Sequence, residues 1–366
     1  MPHTNDHIIA TESTSTAIKG QLPRFPEGWY CLGLSRELKK GDVKPIKAFD
    51  QELVLFRNES GTAVVLDAYC PHLGAHMGFG GTVVGDNLRC PFHGYHFSTS
   101  GQCVKTDYGT GVPQKTCTKS WHVDDKNGFI MVFYSPLKQS PDWHIPAFDY
   151  SDFTPLKSHT FQLAAHVQDV NENSVDLGHF DFVHGYDRID IDEKPTTEGK
   201  AMYAAYSMVR DTGLVGYKKP FKQSLQIQVH GMGFSHVDVS IPDLGLAIRA
   251  IVMTTPIDAK TTELRIANTV SKRVQATGMG KYLQKIPTWA LMPALNWILH
   301  KAYIIDVSQD LDIWEHKIYL ENPALMKGDG PINFYRKYCR QFYNGASSKT
   351  QEALKQKATT ETAKAA

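Results

Sequence analysis

Cys70-Pro71-His72 is answered, after seventeen intervening residues, by Cys90-Pro91-Phe92-His93. Each arm offers one thiolate and one imidazole. Together they supply the donor set of a [2Fe–2S] cluster with mixed ligation, two cysteines holding one iron and two histidines the other. Such a centre has a higher potential than an all-cysteine cluster and passes single electrons without making bonds. A structural Cys2His2 zinc site is the competing reading. Zinc modules usually place both cysteines on one arm and both histidines on the other, whereas each arm here is mixed. Leu73-Gly74 and Gly94 follow the arms and allow tight loops to close over a cluster. The chain is therefore read as an electron-handling protein.

Clusters of this kind are Rieske centres. Those of respiratory complexes carry one further cysteine in each loop, joined as a disulfide. This chain has Ala75 and Phe92 at the matching positions, so it resembles the oxygenase and ferredoxin type. Cys31, Cys103, Cys117 and Cys339 form no CxxC pair and read as small core hydrophobes.

At 366 residues the chain is too long for one small cluster domain, and two domains are expected. A net charge of +1 gives no basic surplus for nucleic acid or anionic membrane. The start, Met1-Pro2-His3-Thr4-Asn5-Asp6, lacks the basic and apolar regions of a secretory signal. The longest apolar stretch, Trp289 to Leu299, contains Pro293 and Asn296 and falls short of the roughly 20 residues that cross a bilayer. No membrane span is expected, and a reducing cytoplasm with free thiols is the expected location.

Residues 1–24 are polar and rich in Thr and Ser, which predicts a mobile tail. Residues 25–145 read as an all-β domain. Leu53-Val54-Leu55-Phe56 and Ala63-Val64-Val65-Leu66 flank Asn58-Glu59-Ser60-Gly61 as a hairpin, and Gly128 to Tyr134 reads as a buried strand. Ser140-Pro141-Asp142 and Pro146 mark a boundary. In the second domain, 146–343, apolar residues alternate at Leu225, Ile227, Val229, at Val237, Val239, Ile241, and at Leu264, Ile266, which predicts antiparallel strands. Helical patterning returns between 281 and 320. Residues 344–366 have little to bury and predict a second mobile tail.

The second domain holds a second constellation, Asn173, Asp176, His179 and His184. Two imidazoles and a carboxylate make the facial triad of mononuclear non-haem Fe(II) enzymes. At about 100° per residue, His179 and His184 lie about 140° apart on a regular helix. Sharing one metal requires a break or a widened, π-type turn between them, and Gly178 and Gly185 flank the pair. With 16 histidines in the chain, a pair five apart is unremarkable by itself. It is the upstream cluster arms and the Asn/Asp register that give the pair its meaning.

With both motifs in this order, the chain resembles the catalytic subunit of a Rieske-type non-haem iron oxygenase over roughly residues 25–343. The resemblance implies an α+β protein: an N-terminal all-β Rieske [2Fe–2S] domain, and a C-terminal helix-grip, START-like catalytic domain with an antiparallel sheet. It implies that Cys70, His72, Cys90 and His93 hold one cluster per subunit, and that His179 and His184 ligate one Fe(II). Asn173 would line the site. For the carboxylate ligand, Asp310 in Ser308-Gln309-Asp310-Leu311-Asp312-Ile313-Trp314 aligns best, with Asp306 and Asp312 as rivals. Asp176 would hydrogen-bond an iron-ligating histidine of its own chain and a cluster histidine of a neighbouring subunit, in a homotrimer.

The implied chemistry is oxidation of an organic substrate by O2. No dinucleotide fingerprint and no second four-cysteine set is present, so a separate NAD(P)H-dependent reductase, with or without a ferredoxin, is the expected partner. The wording around the cluster, with Gly328-Asp329-Gly330-Pro331 and Phe334-Tyr335-Arg336, is similar to steroid-acting members such as cholesterol 7-desaturases and ketosteroid 9α-hydroxylases. Tyr95 departs from the Trp found in many members. The substrate class expected is a bulky apolar ring system, hydroxylated or desaturated. Met232, Phe234, Ile251, Met253, Leu291, Leu295, Trp297 and Ile298 are candidates for the pocket wall, against plain core for each of them. Two alternatives stand: an aromatic-ring cis-dihydroxylating dioxygenase, and a Rieske electron carrier with a partner-binding domain.

Overall fold

The computed structural model describes residues 22–109, 111–112, 116–210 and 220–343. The tails expected at 1–24 and 344–366 lie outside these, apart from residues 22–24. Arg24 is no tail residue: its guanidinium donates to Asp258 O at 2.8 Å and to Ala165 O at 2.9 Å.

The first ten strands form three small antiparallel sheets. β1 (Gly28–Leu34), β2 (Val43–Ala48), β3 (Gln51–Arg57) and β4 (Ala63–Asp67) come first. Short β5 (Thr82–Val84), β6 (Asn87–Arg89), β7 (Tyr95–Phe97) and β8 (Cys103–Thr106) follow, then β9 (Val123–Lys126) and β10 (Phe129–Tyr134). The sheet orders are β2-β3-β4, β5-β6-β7-β8 and β1-β10-β9. The expected β3–β4 hairpin is closed by Asn58, whose Oδ1 accepts from Gly61 N at 2.9 Å and Thr62 N at 2.7 Å.

The second part is one seven-stranded antiparallel sheet with helices packed on it. Its elements are β11 (Lys157–Leu163), α1 (Val167–Asn171), α2 (Gly178–Phe182), β12 (Tyr186–Glu198), β13 (Ala201–Arg210), β14 (Phe221–His230), β15 (Phe234–Ile241), β16 (Leu246–Pro256) and β17 (Thr262–Val270). They are followed by α3 (Gly280–Leu283), α4 (Thr288–Ser308), α5 (Leu311–His316) and α6 (Ile332–Cys339). The strand order is β11-β17-β16-β15-β14-β13-β12. The helical stretch expected to reach 320 ends at His316, where Lys317 turns extended.

Two faces of this sheet do different work. Side chains alternate along each strand, so Val237 and Val239 on β15, Ala250 and Val252 on β16, and Leu264 and Ile266 on β17 face α4. Phe234, Ile251 and Met253 are one residue out of that phase. They join Trp29, Cys31 and Met131 in the core that welds the first part of the chain to the back of the sheet. Thr255 Oγ1 ties across the same seam to Cys31 O at 2.8 Å. The expected pocket wall is corrected accordingly. Phe234, Ile251 and Met253 are buried core, each contributing roughly 1.5–3 kcal/mol by burial. Met232 packs in a separate core with Val229 and Tyr335. Trp297 is exposed, and Leu291, Leu295 and Ile298 do not line the cavity described below. Cys117, expected in the core, is exposed, while Cys31, Cys103 and Cys339 are buried. Among the described residues no helix is long and apolar enough to cross a membrane.

Candidate metal centres and substrate cavity

The two cluster arms form a pair of matching loops at the ends of short strands. In the first, Cys70 N donates to Ala75 O at 2.8 Å and Gly74 N returns to Cys70 O at 2.9 Å. In the second, Cys90 N donates to Tyr95 O at 2.8 Å and Gly94 N returns to Cys90 O at 3.2 Å. The same spacing and hydrogen-bond pattern therefore recurs in both arms. It sends Cys70 and Cys90 inward, each 2% exposed, and leaves His72 and His93 nearer the surface. The two imidazole rings lie 4.7 Å apart, and Tyr95 stacks on His72 at 4.5 Å. Burial, reinforced by the neighbouring Cys90, pushes the Cys70 thiol up to about 11, so iron must displace a proton to bind there. Two inward thiols and two outward imidazoles on facing loops are the donor set a Rieske cluster takes.

The second constellation is assembled from α2 and the junction between α4 and α5. Here α2 stops after five residues, and Gly185 takes φ +66°, turning the chain into β12. The break that two ligands require is thus a helix end rather than a π-bulge. His184 lies in the turn beyond α2, with its ring 5.1 Å from that of His179. Asp310 immediately precedes α5, at its N-cap, and is 5% exposed. The ligand-capable atoms of His179, His184 and Asp310 all lie within 4.8 Å of one another, and no other such group occurs among the described residues.

Each imidazole is held by its other nitrogen. His179 Nδ1 meets Asp176 O at 2.6 Å, and His184 Nδ1 meets Gln309 Oε1 at 2.8 Å. Both acceptors fix the proton on Nδ1 and leave Nε2 for a metal. Burial pulls the His184 pKa down, but the Asp310 and Gln309 contacts outweigh it and hold it above the ordinary value. A buried carboxylate facing two such nitrogens fits a divalent iron.

The other expected residues fall around this group. Asp176 meets the His179 ring in two ways: its main-chain carbonyl takes the ring N–H, and its carboxylate pairs with the same ring nitrogen at 3.8 Å. The carboxylate also accepts from His179 N at 3.3 Å. Burial opposes its ionisation, but His179 more than compensates and lowers its pKa. Asn173 Oδ1 accepts from Trp314 Nε1 at 3.4 Å. Asp306 is engaged elsewhere, in a two-pronged pair with Arg210 at 2.7 and 2.8 Å, and Asp312 is exposed. Gln309 and Arg210 carried no signal in the sequence, because each acts through a partner far along the chain.

The group opens onto a cavity of about 250 Å³ between α4 and the sheet. Its walls are mostly apolar, with Asn173, His179, His184 and Asp310 at one place on its lining. Ser235 Oγ faces this lining, is buried, and has no hydrogen-bond partner among the described residues.

Residues 28–116 match the family model described as Rieske [2Fe–2S] domain, and residues 132–343 match the 3-Ketosteroid 9alpha-hydroxylase C-terminal domain. The chain is 30% identical to a cholesterol 7-desaturase of Caenorhabditis elegans, over 89% of this chain and 79% of that one. It is 27% identical to the oxygenase component of a 3-ketosteroid-9-alpha-monooxygenase of Rhodococcus rhodochrous, over 87% and 84%. Among solved structures, dicamba monooxygenase with non-heme iron and dicamba shares the fold, with a TM-score of 0.60 at 17% identity, over 89% of this chain and 100% of that one.

Proposed function

Because the chain belongs to the Rieske non-haem iron oxygenases with a ketosteroid-hydroxylase type of catalytic domain, we propose that its substrate is a steroid or sterol, hydroxylated or desaturated in the cavity under α4. The enzyme carries a [2Fe–2S] cluster and Fe(II), and as an oxygenase component it depends on a separate electron donor. When bound, the cluster supplies electrons singly and the Fe(II) supplies the chemistry of dioxygen.

The chain's own residues would divide the remaining work. Cys70, His72, Cys90 and His93 would hold the cluster, and His179, His184 and Asp310 the iron. The single observation that carries the second assignment is the convergence of those three side chains on the wall of a largely apolar cavity. Gln309 and the Asp176 carbonyl would orient the imidazoles. Val237, Ala250, Val252 and Ile266 would exclude water and seat apolar rings. The Arg210–Asp306 pair satisfies itself and adds Tyr186 OH at 3.1 Å, so it presents no free charge to the substrate. Ser235 Oγ would give one hydrogen bond to a substrate oxygen. A pure electron carrier would have no use for the iron triad or the cavity.

For electron transfer, we infer a homotrimer in which each Rieske domain docks beside a neighbour's iron. Leu73, Phe79 and Phe92 are 60–67% exposed around the cluster loops. Phe182, at the end of the helix that carries His179, is 93% exposed. Apolar surface of this kind around both centres favours burial against each other. The donor would be an NAD(P)H-dependent reductase, with or without a ferredoxin, and the free cysteines favour a cytoplasmic location. The test is product analysis by mass spectrometry with a surrogate reductase on a panel of sterols, 3-ketosteroids and aromatic acids. Steroid products alone are expected. Dihydroxylation of an aromatic acid with no steroid product would overturn the reading.

A further inference from the structure

Asp107 belongs to neither proposed ligand set, yet its contacts converge on the second cluster loop. Its main-chain N–H donates to Gly94 O at 3.1 Å. Its carboxylate accepts from Arg89 Nε at 2.5 Å and meets His96 Nε2 at 2.9 Å. Arg89 immediately precedes Cys90, and His96 immediately follows Tyr95, whose carbonyl accepts the Cys90 N–H. One carboxylate therefore ties together both stems of the loop that carries Cys90 and His93. Lys105 Nζ lies 3.6 Å away on the outer side.

The fit against the loop is close. Gly94, next to His93, takes φ +62°, and a Cβ built on it would fall 2.4 Å from Asp107 Oδ2. Only glycine allows both that backbone and that approach. The hydrogen bonds from His96 and Arg89 pull the Asp107 carboxyl down to about 2, so it is anionic at neutral pH. Reducing a cluster adds one negative charge. A fixed anion beside the loop opposes that step and a fixed cation favours it, and nearby charge is one of the levers on such potentials.

We propose that Asp107 is a positioning residue for the Rieske centre, latching the second ligand loop together with Arg89, and that the opposed charges of these two residues set the cluster's reduction potential. The proposal rests on the reading of Cys90 and His93 as cluster ligands.

The test is an EPR-monitored redox titration of the holoenzyme, with iron and sulfide counted beside it, for wild type, Asp107→Asn and Arg89→Gln. The midpoint potential is expected to rise in Asp107→Asn and to fall in Arg89→Gln, with the cluster retained in both. A clamp that was only structural would loosen the same loop in either variant and move both potentials the same way. That result, or two unchanged potentials, overturns the proposal. Should Asp107→Asn lose the cluster, Arg89→Gln decides alone, a fall supporting the proposal and no change overturning it. Failure of the underlying ligand reading would show separately, as a wild-type protein without a Rieske signal.

Discussion

His184 Nε2 and Asp310 Oδ2 approach to 3.4 Å, with each side chain only 7% exposed. The pair joins the turn after α2 to the start of α5. It also separates Asp310 from its sequence rivals, since Asp306 is taken by Arg210 and Asp312 is exposed.

Asp310→Ala is expected to lower bound iron by about one per chain while the cluster's absorption persists. Asp306→Asn is expected to keep that iron but to destabilise the fold, because it removes the carboxylate that pairs with the Arg210 guanidinium. Removing one partner of a buried pair costs about 3–5 kcal/mol. The lower end applies here, as the two side chains keep 16% and 20% exposure. Metal analysis beside thermal unfolding checks both. Iron lost from Asp306→Asn and retained in Asp310→Ala would reverse the assignment.

Asp176→Asn should keep both metal centres, since the closest hold on the His179 ring, at 2.6 Å, is the main-chain carbonyl of residue 176, which the substitution leaves in place. Substrate oxidation should nevertheless drop sharply, because the part-exposed carboxylate is proposed to meet a neighbour's cluster histidine. The measurement is single-turnover product yield beside metal content and sedimentation. An unimpaired variant, or a fully active monomer, would contradict the between-subunit route.

Ala250→Phe should fill the cavity from the sheet side. Steroid affinity, read from the fluorescence of Trp314 on the cavity wall, should weaken tenfold or more, a loss of about 1.4 kcal/mol. Unchanged affinity would place the substrate elsewhere.

Much of this architecture was legible from residue patterns. The matched cluster arms, the Asn58 hairpin and the alternation on β14, β15 and β17 each follow from local chemistry. What failed was phase and partnership. Ile251 and Val252 are equally apolar, and only the packing of β1 and β10 on one face decides which of them reaches the cavity. The edge strand β12 is almost wholly exposed and carries register shifts, so it has no apolar signature to read. Gln309 and Arg210 gain their roles from contacts across the fold, which spacing along the chain does not encode.

The central claim is that two metal centres serve one oxidation, and His184→Ala tests it most directly. Wild type, reduced and exposed to O2 with a steroid, should carry about three iron atoms per chain, two in a Rieske cluster and one outside it, and give product in a single turnover. His184→Ala should carry about two, show an unaltered Rieske EPR signal and give none. A variant that still forms product, or a wild-type protein whose only iron is the cluster's, would contradict the account.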